Sequence, residues 1–200
     1  MPYSIIEPPF HRTPSELSVA ELKQGFDWYL QSIPRRATVL AEVMAESQGY
    51  AQWSPNYLRE SLAPLGEWFE TQIQTRPKSE TEIEAQRLAF GHSIDLSGPT
   101  LNVRTLSLCV DVGMYLGETM RVSCPSLRWV LPLKSKRHIY YGLPCLAEFG
   151  KRGSVSTGML VSGLAWMILR GERSGDYLAS IHDLWIGYAG PSSTLAPRSR

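Results

Sequence analysis

Asp111, Tyr115 and Glu118 stand at i, i+4 and i+7 within the run from Leu101 to Val122. On a helix they therefore share one face. Two carboxylates on one face are a starting point for general acid–base catalysis. The same three residues also suit a hydrogen-bond network, because a carboxylate accepts from an indole N–H such as that of Trp129 or from a guanidinium such as that of Arg121. The other stripe of this segment is apolar, which favours a half-buried structural network, with a partner surface next and catalysis last.

The remaining reactive side chains are dispersed. The histidines, 11, 92, 138 and 182, form no H-x-x-x-H, and the carboxylates lack the spacing of a di-iron helix pair. His182 and Asp183 are neighbours, but successive positions on a helix point about 100° apart. The three cysteines, 109, 124 and 145, contain no C-x-x-C and cannot pair completely. No metal and no cofactor is expected. Arg87 and His92 match the Arg–His spacing of a group of helical ribonucleases, a match that chance supplies about once in a chain of this composition. Gly153–Gly158, preceded by Lys151 and Arg152, could hold an anion on its backbone N–H groups. Met159 follows where a nucleotide-binding loop needs lysine, so a plain loop with a Ser or Thr N-cap is expected. No serine lies in G-x-S-x-G and no cysteine has a histidine close in sequence. No catalytic residue is assigned. Lys134–His138 with Tyr140 and Tyr141 has the basic and aromatic composition of a nucleic-acid contact, but it is short for that role and reads as a solvated hairpin tip. The residues proposed to face a partner are Asp111, Tyr115, Glu118, Trp129, Lys136 and Arg137.

The elements that must position these groups follow from periodicity. Residues 1–17 contain four prolines and read as an extended lead-in. Ser18 and Glu21 fit a capping box, and Val19, Leu22, Phe26, Tyr29 and Ile33 follow helical spacing. Pro34 suits the first turn of a second helix that stops at Gly49. Ser54-Pro55 opens a third, kinked at Pro64. Ser79 caps a short acidic helix to about Phe90, and a Gly-Pro linker precedes the long helix that carries Asp111. Gly113 and Gly117 on that helix permit close approach by a neighbour. After Pro125 the period shortens: Leu127–Leu133, His138–Tyr141 and Cys145–Phe149 are candidate short strands. Val155–Leu169 is apolar all round and is expected to be the most buried helix; Asp176–Tyr188 is the last. The expectation is a mostly α fold: one helical domain, 18–190, with a small antiparallel sheet of two or three strands inserted before the last two helices, and a disordered tail, 191–200.

The 200 residues suit one domain, and 43% apolar with 20% charged residues excludes wholesale disorder. The net charge of +1 divides unevenly: residues 1–100 hold 13 acids and 8 bases, residues 101–200 hold 6 acids and 12 bases. The N-terminus has neither the basic nor the apolar region of a secretory signal, and the apolar segment near residue 160 is short of a membrane span. A cytoplasmic location without a membrane partner is expected.

Three segments carry a resemblance: Phe26–Arg36 with Leu40, Trp53–Leu62 running on to Leu65–Phe69, and Asp111–Glu118 with Pro125–Trp129 after it. In order and spacing they resemble a family of small, mostly uncharacterised bacterial cytoplasmic proteins, some of which accompany polymorphic or contact-delivered toxins as immunity proteins. The resemblance implies a helical fold with a small sheet, no established enzymatic activity, and a cognate protein toxin as partner; the leading expectation is an immunity protein that neutralises this toxin by occluding its active site. A helical nuclease or hydrolase using Asp111 and Glu118, or a structural scaffold, are the alternative classes.

Overall fold

The computed structural model describes residues 3–90 and 98–190. His92 and the expected tail, 191–200, lie outside the described residues. The chain begins as a strap, residues 3–17, without helix or strand. Helices α1 (Val19–Ala45), α2 (Leu62–Gln72), α3 (Glu80–Phe90), α4 (Val103–Ser123), α5 (Thr157–Leu169) and α6 (Tyr177–Ala189) follow. An antiparallel pair, β1 (Thr75–Arg76) with β2 (Thr100–Leu101), closes the excursion through α3. Strands β3 (Arg128–Val130), β4 (Cys145–Ala147) and β5 (Ser154–Val155) form an antiparallel sheet in that order, directly before the last two helices. The fold is thus mostly α with a small antiparallel sheet, as the periodicity predicts. None of the described helices is long and apolar enough to cross a membrane.

Helix α1 starts at a complete capping box between Ser18 and Glu21. It does not break at Pro34, contrary to expectation. Tyr29, Ile33, Ala37, Leu40 and Met44 are all buried on one continuous face, and packing that face against α4 outweighs the hydrogen bond that proline removes. The helix ends at Ala45, ahead of Gly49. The next helix starts later than Ser54-Pro55 predicts. Residues 54–58 are irregular, a 3-10 turn spans Arg59–Ser61, and α2 begins at Leu62. Pro64 then falls in the first turn, where its missing N–H costs nothing, so no kink forms. Glu82 and Ser79 make a second reciprocal cap at the start of α3.

Helix α4 is the axis of the molecule, packed against α1, α2, α5 and α6. Of its 21 residues 13 are buried, against four of 13 in α5. The expectation for α5 is therefore overturned. Val155 belongs to β5, Trp166 is half-buried, and Met159 and Leu169 are exposed, so its all-round apolar character covers a helix lying on the surface. Two glycines set the close packing. A Cβ on Gly113 would sit 2.6 Å from Gly158 Cα, and one on Gly117 would sit 2.4 Å from the Trp129 ring. Both positions admit hydrogen only. The segment His138–Tyr141 is not a strand. Successive turn bonds, His138 N–H to Ser135 O, Tyr141 N–H to His138 O and Leu143 N–H to Tyr140 O, wind it into consecutive turns.

Candidate functional site

The polar face foreseen on α4 exists, and residues 26–36, 53–61 and Trp129 meet along it. At one end Asp111 is buried and held by the Arg36 fork: Nε donates to Oδ1 at 2.7 Å and Nη2 to Oδ2 at 2.5 Å. The Tyr3 hydroxyl donates to the same Oδ2 at 2.5 Å and shares a 2.7 Å hydrogen bond with Ser107. Arg36 Nη2 also donates to the Ser4 carbonyl at 2.8 Å. Burial pushes the Asp111 carboxyl above its ordinary value, and the Arg36 bonds offset this only in part. The pair fixes the strap to α1 and α4.

One turn on, Tyr115 is also buried. Its hydroxyl shares a 2.7 Å hydrogen bond with Ser61 and accepts from the Tyr57 N–H at 3.0 Å. Its ring stacks on Tyr57, with centroids 5.0 Å apart, and leans on Trp53 at 5.2 Å. Tyr57 takes the left-handed conformation, φ 56°, that brings its N–H to this hydroxyl. A further turn on, Glu118 accepts from the Trp129 indole N–H at 2.6 Å and from Arg121 at 3.0 Å, the two partners foreseen for it. The Trp129 ring meets Tyr29 edge to face at 5.5 Å.

Asp111 and Tyr115 are therefore sealed within the protein, while Glu118 and Trp129 are half-buried. Lys136 and Arg137 stand apart from this seam on the loop between β3 and β4. Lys136 Nζ donates to the Ser15 carbonyl at 2.9 Å, fastening the strap's far end. The two carboxylates have separate partners: Asp111, 1% exposed, is bonded to Arg36, and Glu118 to Trp129 and Arg121. Arg87 pairs loosely with Glu84 at 3.8 Å.

A second constellation joins residues far apart in sequence. His182 is buried; its Nε2 lies 2.9 Å from Ser123 Oγ and its Nδ1 lies 3.0 Å from Asp183 Oδ1. The neighbouring Asp183 carboxylate folds back onto the ring despite the helical offset. This order resembles a Ser-His-Asp triad, yet the surroundings are structural. Ser123 Oγ donates to the Thr119 carbonyl at 3.0 Å, and Asp183 is gripped by Arg59 through contacts of 2.6–3.2 Å. Arg59 holds the Asp183 carboxyl down at about 2. The set ties the end of α4 to α6 and to the 3-10 turn.

Burial raises the Cys109 thiol to about 11 and Cys145 to about 12, so neither supplies a thiolate at neutral pH. Among the described residues no three of His, Cys, Asp and Glu are grouped to hold a metal ion. The expected N-cap of α5 is Ser156, but its side chain makes no capping hydrogen bond.

The exposed side of the β3–β4 loop has a different character. Ile139 is 71% exposed at its crest, with Lys134, Lys136, Arg137 and His138 exposed beside it. A groove of about 450 Å³ runs along the base of this loop, between Lys134 and His138 on one side and Gly150 and Gly153 on the other. Lys151 and Arg152 stand on the far bank, and Arg152 covers the Tyr188 ring at 4.6 Å. Lys134, Lys136, Arg137 and Lys151 have no salt-bridge partner among the described residues. No protein-family model, curated protein or solved structure matches the chain.

Proposed function

We propose that the chain is a binding protein that neutralises a cognate bacterial protein toxin in the cytoplasm by covering the toxin's active site. The observation that carries this reading is the β3–β4 loop: a large apolar side chain, Ile139, 71% exposed on a framework of hydrogen-bonded turns and flanked by cations that have no acidic partner among the described residues. An apolar anchor with a charged rim is the usual anatomy of a tight protein interface. A preformed loop loses little entropy on docking. Lys134, Lys136 and Arg137 call for an acidic patch on the toxin. Glu118 and Trp129, the half-buried end of the seam, are the other members of the expected partner set with access to solvent. The resemblance of three segments to a family some of whose members accompany toxins as immunity proteins supports the toxin as partner, and the burial of Asp111 supports a non-enzymatic role.

The test is co-purification with the product of the neighbouring gene, followed by affinity measurements on variants. Ile139→Asp is expected to weaken binding about 30-fold or more, as for a hot-spot residue. Lys136→Glu with Arg137→Glu is expected to slow association and flatten its salt dependence. The thermal melt of Ile139→Asp should be unchanged, because that side chain is exposed, and the double variant should melt slightly lower, because it gives up the Lys136 bond to Ser15. Unaltered affinity in both variants would move the interface elsewhere. Turnover of a nucleic acid or ester by the isolated protein, lost in Glu118→Gln, would overturn the non-enzymatic reading.

A further inference from the structure

Between the strap and the helices lies a pocket of about 420 Å³. Its roof is Phe10 with the Pro8-Pro9 pair; its walls include Gly25 on α1, Val110 on α4, and Ser156 and Met159 at the start of α5. The lining is almost wholly apolar. The volume lies in the range of small-molecule sites, and a cavity of only about 150 Å³ admits benzene. Protein interiors ordinarily close such space. Here the strap cannot settle into it, because it is held at both ends. Tyr3, Ser4 and Ile6 are bonded to Arg36, Asp111 and Ser107. Ser15 is bonded to Lys136, and Thr13 is tied to Glu16. Between the anchors Pro8, Pro9 and Pro14 fix φ and keep the chain extended.

Two further features point to an occupant. Ser156 is only 6% exposed and lines the pocket, yet its hydroxyl makes neither the cap expected of it nor another hydrogen bond among the described residues. A hydroxyl that keeps access to an apolar pocket and has no partner of its own is free to donate to whatever enters. At the mouth, Arg12 and Glu21 neutralise each other in an ion pair, so no net charge awaits a charged ligand. We infer that this pocket is a binding site for a neutral, apolar small molecule bearing one hydrogen-bonding oxygen, of the class of a medium-chain alkyl ester. The alkyl part fills the space under Phe10, and its oxygen accepts from the Ser156 hydroxyl.

The probe is the neutral dye N-phenyl-1-naphthylamine, titrated into the full chain by fluorescence and displaced by methyl decanoate. Saturable enhancement and displacement by the ester are expected. Sodium decanoate should displace far less well. Gly25→Leu places a side chain in the pocket: a Cβ there has Phe10 at 3.9 Å as its nearest neighbour. This substitution is expected to abolish dye binding while the melting temperature holds or rises, since leucine favours a helix over glycine. Ser156→Ala should leave dye affinity unchanged and weaken the ester about two- to tenfold, the worth of one hydrogen bond. Absence of saturable binding, or binding unchanged in Gly25→Leu, overturns the site. Equal displacement by the carboxylate, or equal ester affinity in Ser156→Ala, overturns the assigned ligand class.

Discussion

Removing the guanidinium from position 36 would leave Asp111 buried beside Tyr3 and Ser107 with no counter-charge. Arg36→Met is expected to cost about 3–5 kcal/mol in urea denaturation, because a lone buried charge is far worse than none. The double variant Arg36→Met/Asp111→Leu should recover much of that loss; a loss equal to the sum of those of the two single variants would show that the pair is not coupled. Glu118 is a milder case. Glu118→Gln keeps an acceptor for the Trp129 N–H and gives up only an ion pair with the exposed Arg121. A change below about 1 kcal/mol is expected, read from the same denaturation curves. At this scale the sequence shows which residues of α4 form the polar face, and it shows Trp129 and Arg121 as partners of Glu118, because those contacts span 11 and 3 positions. Arg36 and Tyr3 stay hidden as partners of Asp111. They come from 75 and 108 positions away, and no local pattern records that approach.

Helix pairing is decided by where a side chain is missing. Gly113→Ala drives a methyl into Gly158 on α5 and is expected to destabilise by about 1–3 kcal/mol. Gly25→Ala, whose Cβ would make only an ordinary 3.9 Å contact with Phe10, should instead stabilise by up to about 1 kcal/mol. Thermal melts of the two variants should move in opposite directions, and a shared direction would mean that helix propensity, not packing, dominates both. The close approach at Gly113 and Gly117 is readable from their spacing, as are the capping box at Ser18 and the cap at Ser79. Continuity through Pro34 is not, because a local rule says break and only the tertiary face of α1 overrules it. The β1–β2 pair is equally silent in sequence. Two residues on each side carry no periodicity, and the pairing depends on the excursion through α3 returning beside α2. The surface position of α5 escapes for a related reason: composition measures how apolar a helix is, not how many neighbours arrive to cover it.

For the whole molecule, acid sensitivity follows from two fastened carboxylates. Arg59 holds Asp183 at about 2, below its ordinary 3.8, and Arg76 with the Ser79 cap holds Glu82 at about 2, below 4.5. A value lowered by folding stabilises the native state above the ordinary value, and that contribution is lost as the pH falls from about 5 to about 2. Asp111, raised by burial, acts in the opposite sense, so the difference between variants is the quantity to measure. Asp183→Asn/Glu82→Gln is expected to melt at a temperature that falls less steeply between pH 5 and 2 than wild type, with the effect reduced in high salt because both carboxylates are exposed to solvent. Parallel pH profiles would show that neither ion pair contributes. The strap carries one more consequence, in the order of manufacture. Synthesis runs from Tyr3 toward Asp111, 108 positions later. At about 5–20 residues per second the ribosome needs roughly 5–20 s to cover that interval. Throughout it Ile6 and Phe10 have neither α4 nor α5 to rest on. The strap is made well before its partners and waits for them, and a nascent chain arrested before α4 would present these apolar residues to whatever chaperone waits at the tunnel exit.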